Sequence, residues 1–305
     1  MGFDTSFHPV DLELIESRVL PYLAGHGEDD AIDDLVGRAV SLRKTRFRAK
    51  AWALGVLEHK PDGFDSELHL WGRPFFIVGS DRIAEDVQRY LAAADGGVDA
   101  LAREMIARLD PALVGRIEPD QSGTLPGDDA LAQSLGSALR ILRAAAVALR
   151  AGERTVRVPD GREFDAAELL TREAAYNVLD FAAALLPGWM SRGYTWPTRL
   201  YSDAGVRDEG FTAPTALTGL LREEFPGLDW PVPSGTIVQN YMVGGLVRAA
   251  DVPEARAHLG RHRERLDCEA VDLQKIDEAM GVAEQLGVAF CEATEIYSGF
   301  EGNLN

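Results

Sequence analysis

The sequence predicts a helix-rich α+β fold, with a small mixed sheet of about five short strands covered by about nine helices. Three observations predict it. Long stretches carry apolar residues at helical spacing, the clearest being Leu131, Leu135, Leu139, Leu142, Ala146 and Leu149. The strand-like runs are short and scattered between these stretches, without the regular alternation of a doubly wound parallel sheet. Two of them, Thr155–Val158 and Arg162–Phe164, flank Pro159-Asp160-Gly161, a hairpin signal.

In chain order, residues 2–8 alternate, with Phe3, Thr5 and Phe7 on one face and Asp4, Ser6 and His8 on the other, as in a strand. Val10-Asp11 reads as a hydrophobic staple and N-cap, and Gly25 as the stop of the helix that follows. Helical spacing runs from Asp29 to Glu58, with a break expected at Ser41–Thr45. The stretch Glu67–Leu91 combines a buried strand at Phe75–Val78, a Gly79-Ser80-Asp81 turn and a helix with Ile83, Val87, Tyr90 and Leu91 on one stripe. Another helix carries Val98, Leu101, Ala102, Met105, Ile106 and Leu109, and Pro111 marks its end. Beyond the hairpin, Asp165 and Glu168 have capping-box spacing and open a helix to Leu186. Pro187–Pro197 is irregular and aromatic, a short strand is expected at Thr198–Tyr201, and a helix at Thr212–Glu224. A strand at Gly235–Val243, helices at 252–266 and 270–286, and a closing strand at Val288–Tyr297 complete the chain. Residues 1–305 are expected to form one globular domain, or else two tightly packed lobes, 1–117 and 129–305, joined by the loop 118–128.

The totals restrict function. The chain has 305 residues, 46% of them hydrophobic and 26% charged, enough to bury a real core. The net charge of −18 opposes nucleic acid or an anionic membrane as the main partner. It leaves a basic protein or a small-molecule ligand as the expected partner. Two cysteines far apart in sequence, Cys268 and Cys291, suit reduced thiols, and no secretory leader or membrane span is expected. A cytoplasmic location follows from these expectations. Abundant Ala, Arg, Gly and Asp with scarce Lys suggest a GC-rich bacterial source.

Six groups of residues need weighing for chemistry. His8, Glu67 and His69, with Asp4, lie on polar strand faces. If the two strands pair, two imidazoles and a carboxylate converge, a donor set suited to Zn or Fe with open positions; the alternative is two solvated edge faces. Gly79-Ser80-Asp81 offers backbone N–H groups to an anion or is a plain capped turn. His258 and His262 share a helix face as metal donors or as part of a charged surface. Arg38, Arg43, Lys44, Arg46, Arg48 and Lys50 receive an anionic partner or pair with the chain's own carboxylates. On the closing strand, Glu292 and Glu295 lie beside apolar residues, and Cys291 needs a nearby histidine to act as a nucleophile. Trp189, Tyr194, Trp196, Tyr201 and Trp230 line a cleft or plug the core.

The opening MGFDTSFHPVD is similar to the starts of small bacterial cytosolic families, some of them immunity-like. No residue role follows from that similarity. Two functions are therefore expected: an acidic cytosolic protein that binds a partner or ligand, immunity-like or accessory, and alternatively a metal-dependent small-molecule enzyme with a His/carboxylate site.

Overall fold

The computed structural model describes residues 4–59, 82–93, 97–158, 160–191, 195–207 and 210–296. The chain opens with β1 (Thr5–Val10), then α1 (Leu12–Leu14), a π-helical stretch (Ile15–Val19) and α2 (Leu20–Leu23). α3 (Asp33–His59), α4 (Ile83–Ala92), α5 (Gly97–Leu109) and α6 (Asp128–Arg150) follow. The hairpin β2 (Thr155–Arg157) and β3 (Glu163–Asp165) leads into α7 (Ala166–Leu185), β4 (Trp189–Ser191), α8 (Pro197–Asp203) and α9 (Gly219–Glu224). β5 (Val243–Val247), α10 (Val252–His262), α11 (Ala270–Leu286) and β6 (Ala289–Thr294) end the described chain. The expected helix-rich α+β architecture is what forms.

The main sheet has the order β4-β1-β6-β5, with every pairing antiparallel, which corrects the mixed sheet read from the sequence. β1 lies inside the sheet, and all six of its residues are buried, as are those of β5 and β6. A helical layer therefore covers each face. On one side Phe7, Trp189, Val247 and Phe290 pack into a core with α4, α5, α10 and α11. On the other, Val10, Leu246, Cys291 and Ala293 pack with α6, α7 and the first helical segment. α3 serves both cores: Leu35, Val36 and Ala39 enter the second, and Ala49, Trp52, Ala53 and Val56 the first.

Local chemistry explains the boundaries. The Asp11 carboxylate accepts from Leu14 N at 3.0 Å, and that of Asp165 accepts from Glu168 N at 2.9 Å, so both sequence-read caps form. Gly287 ends α11 at φ 67, a conformation in which a Cβ would be strained. No break interrupts α3, and the Thr45 hydroxyl bonds back to the Ser41 carbonyl at 3.0 Å inside the helix. The loop after residue 117 is pinned, with Asp120 N donating to Ala51 O at 2.8 Å. β1, from the first part of the chain, sits between two strands from beyond that loop.

Four segments differ from the sequence reading. The strand read at 235–243 forms instead at Val243–Val247. Two glycines there look like a breaker, yet a Cβ on Gly244 would lie 2.7 Å from Glu292 Oε1, and one on Gly245 would lie 2.7 Å from Thr198 Cγ2. The missing side chains make room for a buried carboxylate. The short strand read at 198–201 is helical, α8, with Pro197 at its first turn. Trp189–Ser191, read as irregular, is β4, held by pairing to Thr5–Phe7. The helix read at 212–224 is shorter, with a 3-10 turn at Thr215–Leu217 before α9. Phe75–Val78 lies outside the described residues.

Candidate functional site

Of the three residues read as a metal set, Glu67 and His69 lie outside the described residues, as does Gly79-Ser80-Asp81. His8 sits in the middle of β1, directly across from Cys291 of β6. Both edges of β1 at Thr5–Phe7 are taken by β4 and β6. The His8 ring is buried, and neither nitrogen has a hydrogen-bond partner. Gly188 lets it fit, since a Cβ there would lie 2.3 Å from Nδ1. Burial first, and the Arg46 guanidinium second, lower its pKa to about 3, so the ring is neutral at pH 7. The same guanidinium opposes a dication at the ring. Among the described residues no three His, Cys, Asp or Glu side chains come together in a way that could hold a metal.

The His8–Cys291 pair is the Cys–His juxtaposition that sequence alone could not reveal. Its electrostatics are those of an inert pair. Burial, with Glu292 adding to it, pushes the Cys291 thiol well up, while the imidazole is pushed down. Thiolate–imidazolium chemistry needs the opposite of both shifts.

The opposite face of the sheet carries buried polar groups that do find partners. Glu292 accepts from the Thr198 hydroxyl and, at 2.9 Å, from Gly245 N. The Ser191 hydroxyl donates to Asp272 at 2.5 Å, Lys275 Nζ lies 3.5 Å from the same carboxylate, and Trp189 Nε1 donates to Glu278 at 3.2 Å. These bonds satisfy what burial would otherwise penalise. They tie α8, α11 and β4 to the sheet.

The other sequence candidates resolve similarly. His258 and His262 do lie together, ring centroids 4.6 Å apart, but His258 is buried edge-on against Tyr201 at 5.1 Å. From the basic run, Arg48 grips Asp99 with bonds of 2.7 and 3.0 Å, Lys44 reaches Asp128 at 3.4 Å, and Arg46 donates to Ala183 O at 3.4 Å. Trp189, Trp196 and Tyr201 are core plugs, and Tyr194 lies outside the described residues.

Among the described members of that aromatic group, Trp230 lines an open site. A cleft of about 650 Å³ lies between α7, α9 and the segment 230–243. Tyr176, Pro214, Trp230, Pro233, Met242 and Val243 supply its apolar surface. Trp230 Nε1 donates to Phe225 O at 3.1 Å, which holds the indole in place. The rim is unusual. Val232 and Tyr241 on the rim are 90% and 63% exposed, and with Val238 of the same segment, 71% exposed, they account for three of the five large hydrophobic side chains most open to solvent among the described residues. Tyr241 also stands at φ 54, in the left-handed region that disfavours a bulky side chain. Its ring meets Tyr176 edge-on at 5.8 Å. Backbone strain and apolar exposure at one rim are the features of a surface shaped for contact. Sequence reading named Trp230 but missed Tyr176 and Tyr241, which sit far apart in the chain; the only local signal was the Trp-Pro-Val-Pro run at 230–233, read as loop. Set against known protein families, curated proteins and solved structures, the chain shows no match.

Proposed function

We propose that this chain is a cytoplasmic binding protein whose ligand enters the cleft between α7, α9 and residues 230–243. The observation that carries the reading is the concentration of exposed apolar side chains, with a strained Tyr241, on one rim of a cavity large enough for a small molecule. The inert electrostatics of the His8–Cys291 pair also favour binding over covalent catalysis there. Two free cysteines suit a reducing compartment, and no helix among the described residues is long and apolar enough to cross a membrane. A basic protein docking against the net charge of −18 is the competing form of the same binding reading.

The test is a titration with 4-phenylbutanol, a neutral aromatic probe, followed by backbone amide chemical shifts. Perturbations gathered at Tyr176, Trp230, Tyr241 and Met242, and lost in Tyr241→Ser, support the cleft. Shifts scattered elsewhere, or none at millimolar probe, defeat it.

A metal-dependent enzyme built on His8 with Glu67 and His69 is the second reading. One observation favours it: a buried imidazole with both nitrogens unpartnered is a costly arrangement that a metal bond would relieve. Elemental analysis of the purified protein decides, with stoichiometric Zn or Fe lost in His8→Phe as the supporting result.

A further inference from the structure

The cleft does not share the chain's charge. Over the whole sequence 49 acidic residues face 31 basic ones. Around the cleft the charged side chains are Arg172, Arg222 and Glu173, so the lining does not carry the acidic excess of the whole chain. Arg172 is answered by Glu168 at 2.7 Å, one turn earlier on α7. Arg222 is different. It stands half-buried on α9, and among the described residues it has no ion-pair partner, although acidic side chains outnumber basic ones throughout the chain. Its neighbour Glu224 is already committed to Arg150 at 2.7 Å and His26 at 2.9 Å. An unanswered guanidinium beside Tyr176, Trp230 and Tyr241 presents a planar cation next to an apolar, aromatic surface.

We propose that the ligand of this cleft is a small aromatic or apolar carboxylate, its body against Tyr176, Trp230 and Tyr241 and its anionic end on Arg222. The inference rests on the cleft being the ligand site. A carboxylate fits the guanidinium fork, and Thr218, one turn before Arg222 on the same wall, adds a hydroxyl. The acidic surface repels anions at long range, but at physiological salt that field decays within about 8 Å, so the local guanidinium governs the bound state.

The experiment compares three probes of one shape on the full chain: 4-phenylbutyrate, 4-phenylbutanol and 4-phenylbutylamine. The acid is expected to bind at least about tenfold tighter than the alcohol, and the amine more weakly than either. In Arg222→Met the advantage of the acid over the alcohol should disappear. Raised salt should weaken the acid alone. Equal binding of acid and alcohol to the unaltered chain overturns the carboxylate while leaving the cleft as a site for neutral ligands. So does an acid preference that survives in Arg222→Met. Absence of binding by all three probes overturns the cleft itself. Should Arg222→Met fail to fold, the order of acid, alcohol and amine on the unaltered chain still decides.

Discussion

Lowering the pH should unfold this protein partly through His8, by an amount that can be worked from its surroundings. The ring is buried, lacks a hydrogen-bond partner, and has Arg46 nearby, so its pKa falls from 6.5 to about 3. Folding therefore keeps His8 neutral between those values, whereas the unfolded chain takes up a proton. Because the unfolded state binds more protons in that window, stability rises with pH from about 3 to 6.5 and is lost on acidification. With each pKa unit equal to about 1.36 kcal/mol, the loss due to His8 alone is about 2 kcal/mol between pH 7 and pH 5, and about 3 kcal/mol between pH 7 and pH 4.

The assay is urea unfolding at pH 7, 5 and 4 for the native sequence and for His8→Phe, which keeps a flat ring and removes the titration. Other groups titrate alike in both proteins, so the difference between the two pH slopes isolates His8. The variant should lose less stability on acidification by the amounts just given. Identical slopes, or a native-state His8 resonance titrating near 6.5, would refute the reasoning, because either means that the imidazole is solvated or paired with a carboxylate. A chelator separates the remaining case. A metal-bound imidazole is also neutral, but stripping the metal would then lower the urea midpoint, and for an unliganded ring it should not.

Two further predictions probe the frame around the cores. Arg108 clamps the fully buried Asp86 with bonds of 2.8 and 3.0 Å, joining α5 to α4. Arg108→Met should cost about 3 kcal/mol in urea unfolding, toward the low end for a broken buried pair because Arg89 remains 3.6 Å from Asp86; Arg108→Met with Asp86→Leu should cost less, and the reverse order would refute the assignment. On α3, a Cβ at Gly55 would lie 2.0 Å from the Glu118 carbonyl oxygen, whereas one at Gly37 meets nothing within 4 Å. Gly37→Ala should therefore stabilise by about 0.5–1 kcal/mol, and Gly55→Ala should destabilise by at least about 1–3 kcal/mol and expose residues 118–127 to limited proteolysis; matching effects at the two sites would show that the loop does not press on the helix.

Much of the helical frame was legible because local chemistry decides it. Asp11 and Asp165 cap where their spacing says, Gly287 stops α11, and the apolar stripe of α6 enters one core. What failed were segments whose state is set from a distance. Trp189–Ser191 carries no alternation, and it is a strand because Thr5–Phe7 pairs with it. The strand read at 235–243 stops short of Gly244-Gly245, yet these glycines lie inside β5, where Glu292 and Thr198 occupy the space above them. Tertiary contacts outweigh propensity in both places.

The site was less legible than the fold for a related reason. Alternation along β1 correctly put Ser6 and His8 on one face and Thr5 and Phe7 on the other, but alternation says only which residues share a face. It does not say whether that face meets water. β1 turned out to lie inside a sheet covered on both sides, so a histidine read as a potential ligand on a polar surface became a desolvated ring opposite Cys291. The cleft shows the complementary failure. Its wall joins Tyr176 on a helix to Trp230 and Tyr241 on a loop, and Arg222, without an ion-pair partner among the described residues, is conspicuous only once the partners of its neighbours are known. A missing counter-ion has no signature in a chain already rich in carboxylates. It emerges when Glu168 and Glu224 have been assigned to Arg172, Arg150 and His26, and for that reason a measured charge preference, more than the shape of the cleft, would distinguish a ligand site from a packing defect.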